Sequence, residues 1–337
     1  MSVALALSLF ASAPSALPSQ CLGVREPIID VHSHAYAADP RWAARVPNPA
    51  TGIPLTAVGE EAQRRETNAE YRRWGVIRAL VDDDGRGLDR DAGRRSVAAD
   101  PARMRLGIDP SELTPEVMTR IRELHAAGEL TAIAEVGSQY YGIGPDDPRM
   151  EPLWALAEEL DLPVGIHMGL GPPAVNEESP AMRMRLGDPL LLEDVLVRHP
   201  KLRVYIMHAG WPFSDSLIAM LHSFPNLYVD VAVIDWAIQK DEFESYLKRI
   251  VGAGFGDRVM YGSDQMVWPD AVGLSIKRVQ NASFLTEGQK RDILFNNALR
   301  FFRWSDLEPC KSPAMLVSEL SANGVIWAAG PQQSATK

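Results

Sequence analysis

Eight short apolar runs, each followed by a longer amphipathic or polar stretch, organise this chain between Pro27 and about Arg303. The runs are Ile28–His32, Val76–Val81, Met104–Ile108, Ala132–Val136, Val164–His167, Val204–His208, Leu227–Val231 and Val259–Tyr261. They are rich in Val, Ile and Ala. Most lack the strict alternation of a strand with one wet face, so they read as strands buried on both faces of a parallel sheet. Helical patterns fill the gaps. Thr114 followed by Pro115 is an N-cap with proline at the first helical position, and it predicts a helix over Glu116–Ala127. Glu151–Leu160 and Pro189–Arg198 are amphipathic stretches that stop before Pro163 and Pro200. Thr286 and Gln289 have capping-box spacing, and they predict a helix over Gln289–Arg300. Eight parallel strands alternating with helices predict an α/β fold, a (β/α)8 or TIM barrel. A doubly wound open sheet is the alternative.

Chemistry is concentrated at the C-terminal ends of these runs. Asp30-Val31-His32-Ser33-His34 closes the first, and residues i and i+2 share a face of a strand, so two imidazoles converge. The fourth run carries Glu135, the fifth ends at His167, the sixth at His208, and the eighth leads to Asp264. In a barrel all these ends meet at one mouth, where active sites form. Four of the seven histidines fall there; the other three, His125, His199 and His222, fall in predicted helices or helix ends and read as structural or exposed. A lone histidine at a strand end is more often a hydrogen-bonded core residue. Six polar residues at matched places, costly to bury without a partner or an ion, point instead to a divalent metal centre. Imidazole and carboxylate donors suit one or two ions per chain, zinc first, with manganese and iron as alternatives. A bound ion lowers the pKa of water to about 7. Asp264 is then the expected general base. Glu135 is expected to bind one ion or bridge two. His208 either binds a second ion or polarises the substrate.

Composition narrows the classes. The chain has 337 residues, 46% hydrophobic and 23% charged, which suits a globular protein with one large domain. A net charge of -10 argues against a nonspecific nucleic-acid binder. After the N-terminus no apolar run is long enough to span a membrane. Cys21 and Cys310 form no C-x-x-C pair, so neither a zinc finger nor a redox motif is expected. Residues 1–24 carry no charge, and Val3–Ala13 resembles the apolar core of a signal peptide without its positive flank. The expected division is a signal peptide or disordered leader at 1–24, a barrel domain at 27–303 and a C-terminal extension at 304–337. A cleaved leader would place the protein in a periplasm or outside the cell; otherwise it is cytoplasmic.

Taken together, these motifs resemble the amidohydrolase superfamily, and in particular amidohydrolase family 2. The matching segments are Asp30-Val31-His32-Ser33-His34, His167, His208 in His-Ala-Gly, Gly262-Ser263-Asp264, and Asn297-Ala298-Leu299-Arg300-Phe301-Phe302, spanning roughly Pro27 to Arg303. The resemblance implies that His32, His34, His167 and Asp264 hold metal and that His208 is a ligand or a catalytic group. Many two-metal members carry a carboxylated lysine on strand four. This chain has Glu135 there, which is similar to TatD-like metal-dependent deoxyribonucleases. Decarboxylase members, such as aminocarboxymuconate-semialdehyde decarboxylase, work with one metal and do not depend on that glutamate. The expectation is therefore a hydrolase of small-molecule ester, amide, lactone or phosphoester bonds. A non-oxidative decarboxylase of an aromatic or unsaturated carboxylic acid is the alternative. An ion pair of Glu135 with Arg105 is the structural alternative for that residue. A homodimer is the simplest assembly to expect.

Other residues near the strand ends are left unassigned. Asp82-Asp83-Asp84 and Asp109 read as caps or solvated turns. Trp211, Trp268, Tyr140 and Tyr141 either line a pocket or pack loops. The long connection from Ala35 to about Glu60, with Arg41 and Trp42, is expected to lie over the mouth.

Overall fold

The computed structural model describes residues 26–83, 91–110 and 113–308. The expected leader, Asp84, both cysteines and the extension beyond Glu308 lie outside the described residues.

Each strand is followed by helical structure. β1 (Ile28–Ala35) leads through α1 (Pro40–Ala44) to α2 (Glu60–Trp74), β2 (Val76–Asp83) to α3 (Ala92–Ala99), and β3 (Met104–Ile108) to α4 (Pro115–Ala126). β4 (Leu130–Val136) leads to α5 (Glu151–Glu159), and β5 (Val164–His167) through α6 (Val175–Glu178) to α7 (Glu193–Arg198). β6 (Val204–Met207) leads to α8 (Ser214–Ser223), and β7 (Leu227–Asp230) through α9 (Ile234–Ala237) to α10 (Lys240–Gly252). β8 (Val259–Met260) is followed by α11 (Ala271–Gln280), α12 (Glu287–Arg291) and α13 (Asn297–Phe302).

The eight strands form one sheet in the order β1-β2-β3-β4-β5-β6-β7-β8. All seven neighbouring pairs are parallel. This order never reverses, as a doubly wound sheet must. The sheet curls until its edges meet, where Val31 N–H donates to Tyr261 O (3.1 Å) and Asp264 N–H to His32 O (2.8 Å). The fold is a TIM barrel. Among the described residues, no helix is long and apolar enough to cross a membrane.

Two apolar layers follow from side-chain parity. Ile29, Val31, Leu80, Ala132, Ala134, Tyr205, Met207 and Met260 fill the barrel interior. Ile28, Val81, Ile133, Val164, Ile166 and Val204 face outwards onto the helices. Phe301 and Phe302 of α13 close the N-terminal floor against Tyr205. Trp304 stacks on Phe302, and the buried Arg78 sits over the Trp304 ring and pairs with Asp306 at 2.6 Å. The interior tolerates little extra volume. A Cβ on Gly165 would lie 2.5 Å from the Tyr205 hydroxyl and 2.8 Å from Met207 Cε. Gly165→Ala should therefore destabilise by about 1–3 kcal/mol through overpacking, read as a lower urea midpoint at unchanged slope; an unchanged midpoint would mean the ring moves freely.

Two helices differ from the sequence expectation. Pro189–Arg198 splits into a tight turn over Pro189–Leu192, capped by Asp188, and then α7. The stretch after Thr286 begins with the expected capping box, but it widens into a π turn over Asp292–Asn296 before α13. The cause is β8: Tyr261 N–H takes the Ile293 carbonyl at 2.9 Å, and Asn297 Nδ2 donates to Gly256 O and Val259 O. Those bonds pull one turn off helical register.

Candidate metal centre

The structure brings His32, His34, Glu135, His167, His208 and Asp264 to one buried cluster at the C-terminal mouth. They reach it by different local devices. His167 arrives by plain alternation, on the inward side of β5 with Gly165. Plain alternation would turn His32 and His34 outwards, because Ile29 and Val31 already point in. An extra residue in β1 between Asp30 and Ser33 resets the parity, so that His34 stands opposite the inward Asp82. Glu135 follows the inward Ala134, and a second extra residue between Ile133 and Val136 re-aims it in the same way. Bulges of this kind recur beside active sites. His208 and Asp264 turn inwards through left-handed backbone, with φ of 57° and 43°. Such conformations cost free energy and persist only where the surroundings enforce them.

Glu135 is the hub. Its Oε1 lies 2.5 Å from His167 Nδ1 and 3.3 Å from His208 Nε2. Its Oε2 lies 3.4 Å from His32 Nε2 and 3.6 Å from His34 Nε2. Arg105 instead reaches the backbone oxygens of Pro101 and Met104 and the carboxylate of Asp306. Asp264 Oδ1 is 2.9 Å from His34 Nε2 and 3.8 Å from His32 Nε2. His167 donates its Nε2–H to Leu170 O (2.8 Å), so only Nδ1 faces the cluster, 3.0 Å from His208 Nε2.

Sequence reasoning missed two carboxylates that orient the rings. Asp230, fully buried at the end of β7, lies 3.0 Å from His32 Nδ1, and its other oxygen accepts from His208 N–H. Asp82, read from the sequence as a cap or solvated turn, is buried and sits 2.7 Å from His34 Nδ1. Its inward position on β2 opposite His34 overrides the turn reading. With Nδ1 of His32, His34 and His208 held by Asp230, Asp82 and Ala232 O, Nε2 of each is left to face the centre. This is how outer partners fix metal-ligating histidines.

The residues fit a divalent cation. His32 Nε2 and Asp264 Oδ1 are buried with no aligned hydrogen bond. Three overlapping trios, His32–His34–Asp264, His32–Glu135–His208 and His34–Asp82–Glu135, each keep their donor atoms within 4.8 Å of one another. His167 stands outside these trios and joins the cluster through Glu135 and His208. The charge balance makes the same demand. Burial opposes the charged form of His32, but Asp264 and Asp230 outweigh it and hold its pKa well above the ordinary value; His34 is raised likewise by Asp82. Burial also opposes charge on Glu135 and Asp264, yet the imidazoles overcome it, driving Glu135 well down and Asp264 to about 2. The cluster attracts positive charge, as protons or as a cation.

Beneath the centre, burial pushes the Asp30 carboxyl from 3.8 up to about 6, against hydrogen bonds from Ser263 and His32. The folded protein holds this proton more tightly than the unfolded chain does. Its contribution to stability is complete below about pH 4 and is lost as pH rises through 6. In metal-stripped protein, Asp30→Asn, which cannot ionise, should gain about 3 kcal/mol on wild type between pH 4 and pH 7 at about 1.4 kcal/mol per unit. Urea unfolding at each pH reads this out, and a constant difference would sink the assignment.

The aromatic residues near the strand ends divide. Tyr140 packs its ring 4.5 Å from that of His167, while Trp268 is buried against Trp236. Trp211 is half-buried and donates to Glu242, and Tyr141 is exposed. The connection after β1 covers the mouth as expected: Tyr36, Trp42 and Leu55 pack with Trp236, Val267 and Trp268. Among the other histidines, His199 is a structural link between Glu151 and Glu158.

Fold and centre together define a TIM barrel with a histidine–carboxylate cluster at its C-terminal mouth. The chain belongs to the amidohydrolase family, whose model matches residues 29–304. The protein fluG of Emericella nidulans is 22% identical over 212 residues; the match takes in 53% of this chain and 24% of that protein. A probable 2-pyrone-4,6-dicarboxylic acid hydrolase from Acinetobacter baumannii, solved with citric acid bound, superposes with a TM-score of 0.59 at 13% identity, over 82% of this chain and 99% of that one. A 5-carboxyvanillate decarboxylase from Novosphingobium aromaticivorans, complexed with manganese and a nitrobenzoic acid, gives 0.56 at 17% identity, over 82% and 96%. At these identities the structures show a shared fold, which hosts hydrolases and decarboxylases alike.

Proposed function

We propose that this protein is a metal-dependent hydrolase of a small molecule with an ester, amide, lactone or phosphoester bond. The observation that carries the reading is Glu135, a buried carboxylate within 3.6 Å of the ring nitrogens of four histidines. Decarboxylation needs a substrate carboxylate to dock at the centre. Here Glu135 and Asp264 already bring negative charge to the donors, with Asp82 and Asp230 behind them, so a further anionic group is disfavoured where neutral water is not, which favours the uncharged esters, amides and lactones over phosphoesters as well as over carboxylates. His32, His34, Glu135 and Asp264 would hold one zinc or manganese ion, with His208 and His167 completing the set or serving a second. When bound, the ion supplies Lewis acidity that polarises the scissile bond and makes water acidic near neutral pH. Asp264, held in its ionised form by the imidazoles of His32 and His34, would accept the water proton. His208, fixed by Ala232 O, directs Nε2 at the reacting centre; where it is not a ligand, its protonated ring would steady negative charge on the substrate.

The decarboxylase reading draws on the manganese-bound structural relative, and one experiment separates the two. Zinc- or manganese-loaded protein is offered lactones, esters, amides and phosphodiesters, and in parallel aromatic carboxylic acids. Acid release from the first group without carbon dioxide from the second supports hydrolysis. Carbon dioxide release, with the first group untouched, overturns it.

A further inference from the structure

His34 and Asp264 approach each other across the seam where the first and last strands meet, and that seam is held by few main-chain bonds. Two buried glutamines bridge it. Gln63 on the inner face of α2 is 2% exposed, and Gln265, next to Asp264, is 1% exposed. Gln63 Nε2 donates to Met266 O at 2.7 Å and to Gln265 Oε1 at 3.2 Å, and it lies 3.3 Å from His34 O. Gln265 Nε2 donates to the same His34 carbonyl at 2.8 Å. The two amides thus form a continuous link from the backbone of one candidate ligand to the backbone beside the other. The segment they grip needs holding, because Asp264 and Met266 both have left-handed backbone, with φ of 43° and 44°. Amides do not titrate, so the link stays in place whether the cluster holds protons or a cation.

We propose that Gln63 and Gln265 are positioning residues that fix the spacing of His34 and Asp264 and thereby set metal affinity. The proposal rests on reading the cluster as a metal centre. Methionine keeps the length of glutamine and removes its hydrogen bonds. Zinc affinity would be measured by competition with a chromophoric chelator for wild type, Gln63→Met, Gln265→Met, the double variant and Asn297→Leu. Asn297 braces β8 through Gly256 O and Val259 O without touching the cluster, so its variant reports general loosening. Melting of the metal-free forms runs alongside.

The expected result is a loss of about 10- to 100-fold in zinc affinity for each methionine variant. The double variant should lose little more than the worse single one, because both amides meet at the His34 carbonyl. Asn297→Leu should melt lower and keep wild-type affinity. Should one methionine variant fail to fold, the other decides. Wild-type affinity in a folded methionine variant, or an equal loss in Asn297→Leu, overturns the clamp. Wild type that binds neither zinc nor manganese overturns the metal centre, and the clamp with it.

Discussion

Asp264→Asn should lower kcat by about 100- to 10,000-fold, the usual worth of a positioned general base, with the barrel still folded. The side chain is nearly isosteric, so packing against His32 and His34 survives. What is lost is a group that carries negative charge at neutral pH and can take a proton. Burial would favour a neutral side chain at this place, yet His32, His34 and His208 hold the native carboxyl at about 2, so the native site keeps a charge that asparagine cannot. The measurement is kcat on whichever substrate class the screen reveals, with the melting temperature as control. Activity within a few-fold of wild type would remove Asp264 from proton transfer and leave it, at most, as a ligand.

Glu135→Ala should remove one ion per chain from the wild-type complement, counted by elemental analysis after zinc or manganese loading and desalting. Loss of a direct ligand should exceed the roughly 10- to 100-fold affinity cost typical of an outer partner. Stability of the metal-free protein should change less, because the histidines can shed the protons that Glu135 supports. In wild type Glu135 opposes burial to keep His208 charged more readily, and its loss lets that ring neutralise. An ion count equal to that of wild type would take Glu135 out of the centre and shift the balance towards single-metal decarboxylation.

How much of this could be read from the sequence follows from the geometry of individual strands. The barrel was legible because eight apolar runs recur with helices between them, and because a buried polar residue at a strand's C-terminal end stands out. His167 needed nothing more. For His32, His34 and Glu135 the sequence located the residues but not the face they take: alternation from Ile29, Val31 and Ala134 points them away from the centre, and only the extra residue in β1 and in β4 corrects it. Parity of that kind depends on pairing with neighbouring strands, which no single segment encodes. Asp230 lies inside the apolar run Leu227–Val231 rather than after it, so it lacks the strand-end position that marks Asp264. Asp82 was masked by its neighbours, since three consecutive aspartates look like a solvated turn. The π turn before α13 answers to a long-range bond from Tyr261 to Ile293, and the local helical pattern gives no sign of it.

The seam between β1 and β8 has a bearing on how the protein is made. His32 and His34 leave the ribosome more than two hundred residues ahead of Asp264 and Gln265. A nascent chain therefore exposes its paired imidazoles over that whole interval with no partner across the seam. The full set of candidate donors is assembled only when the last strand docks, because His34 and Asp264 meet across the closed seam.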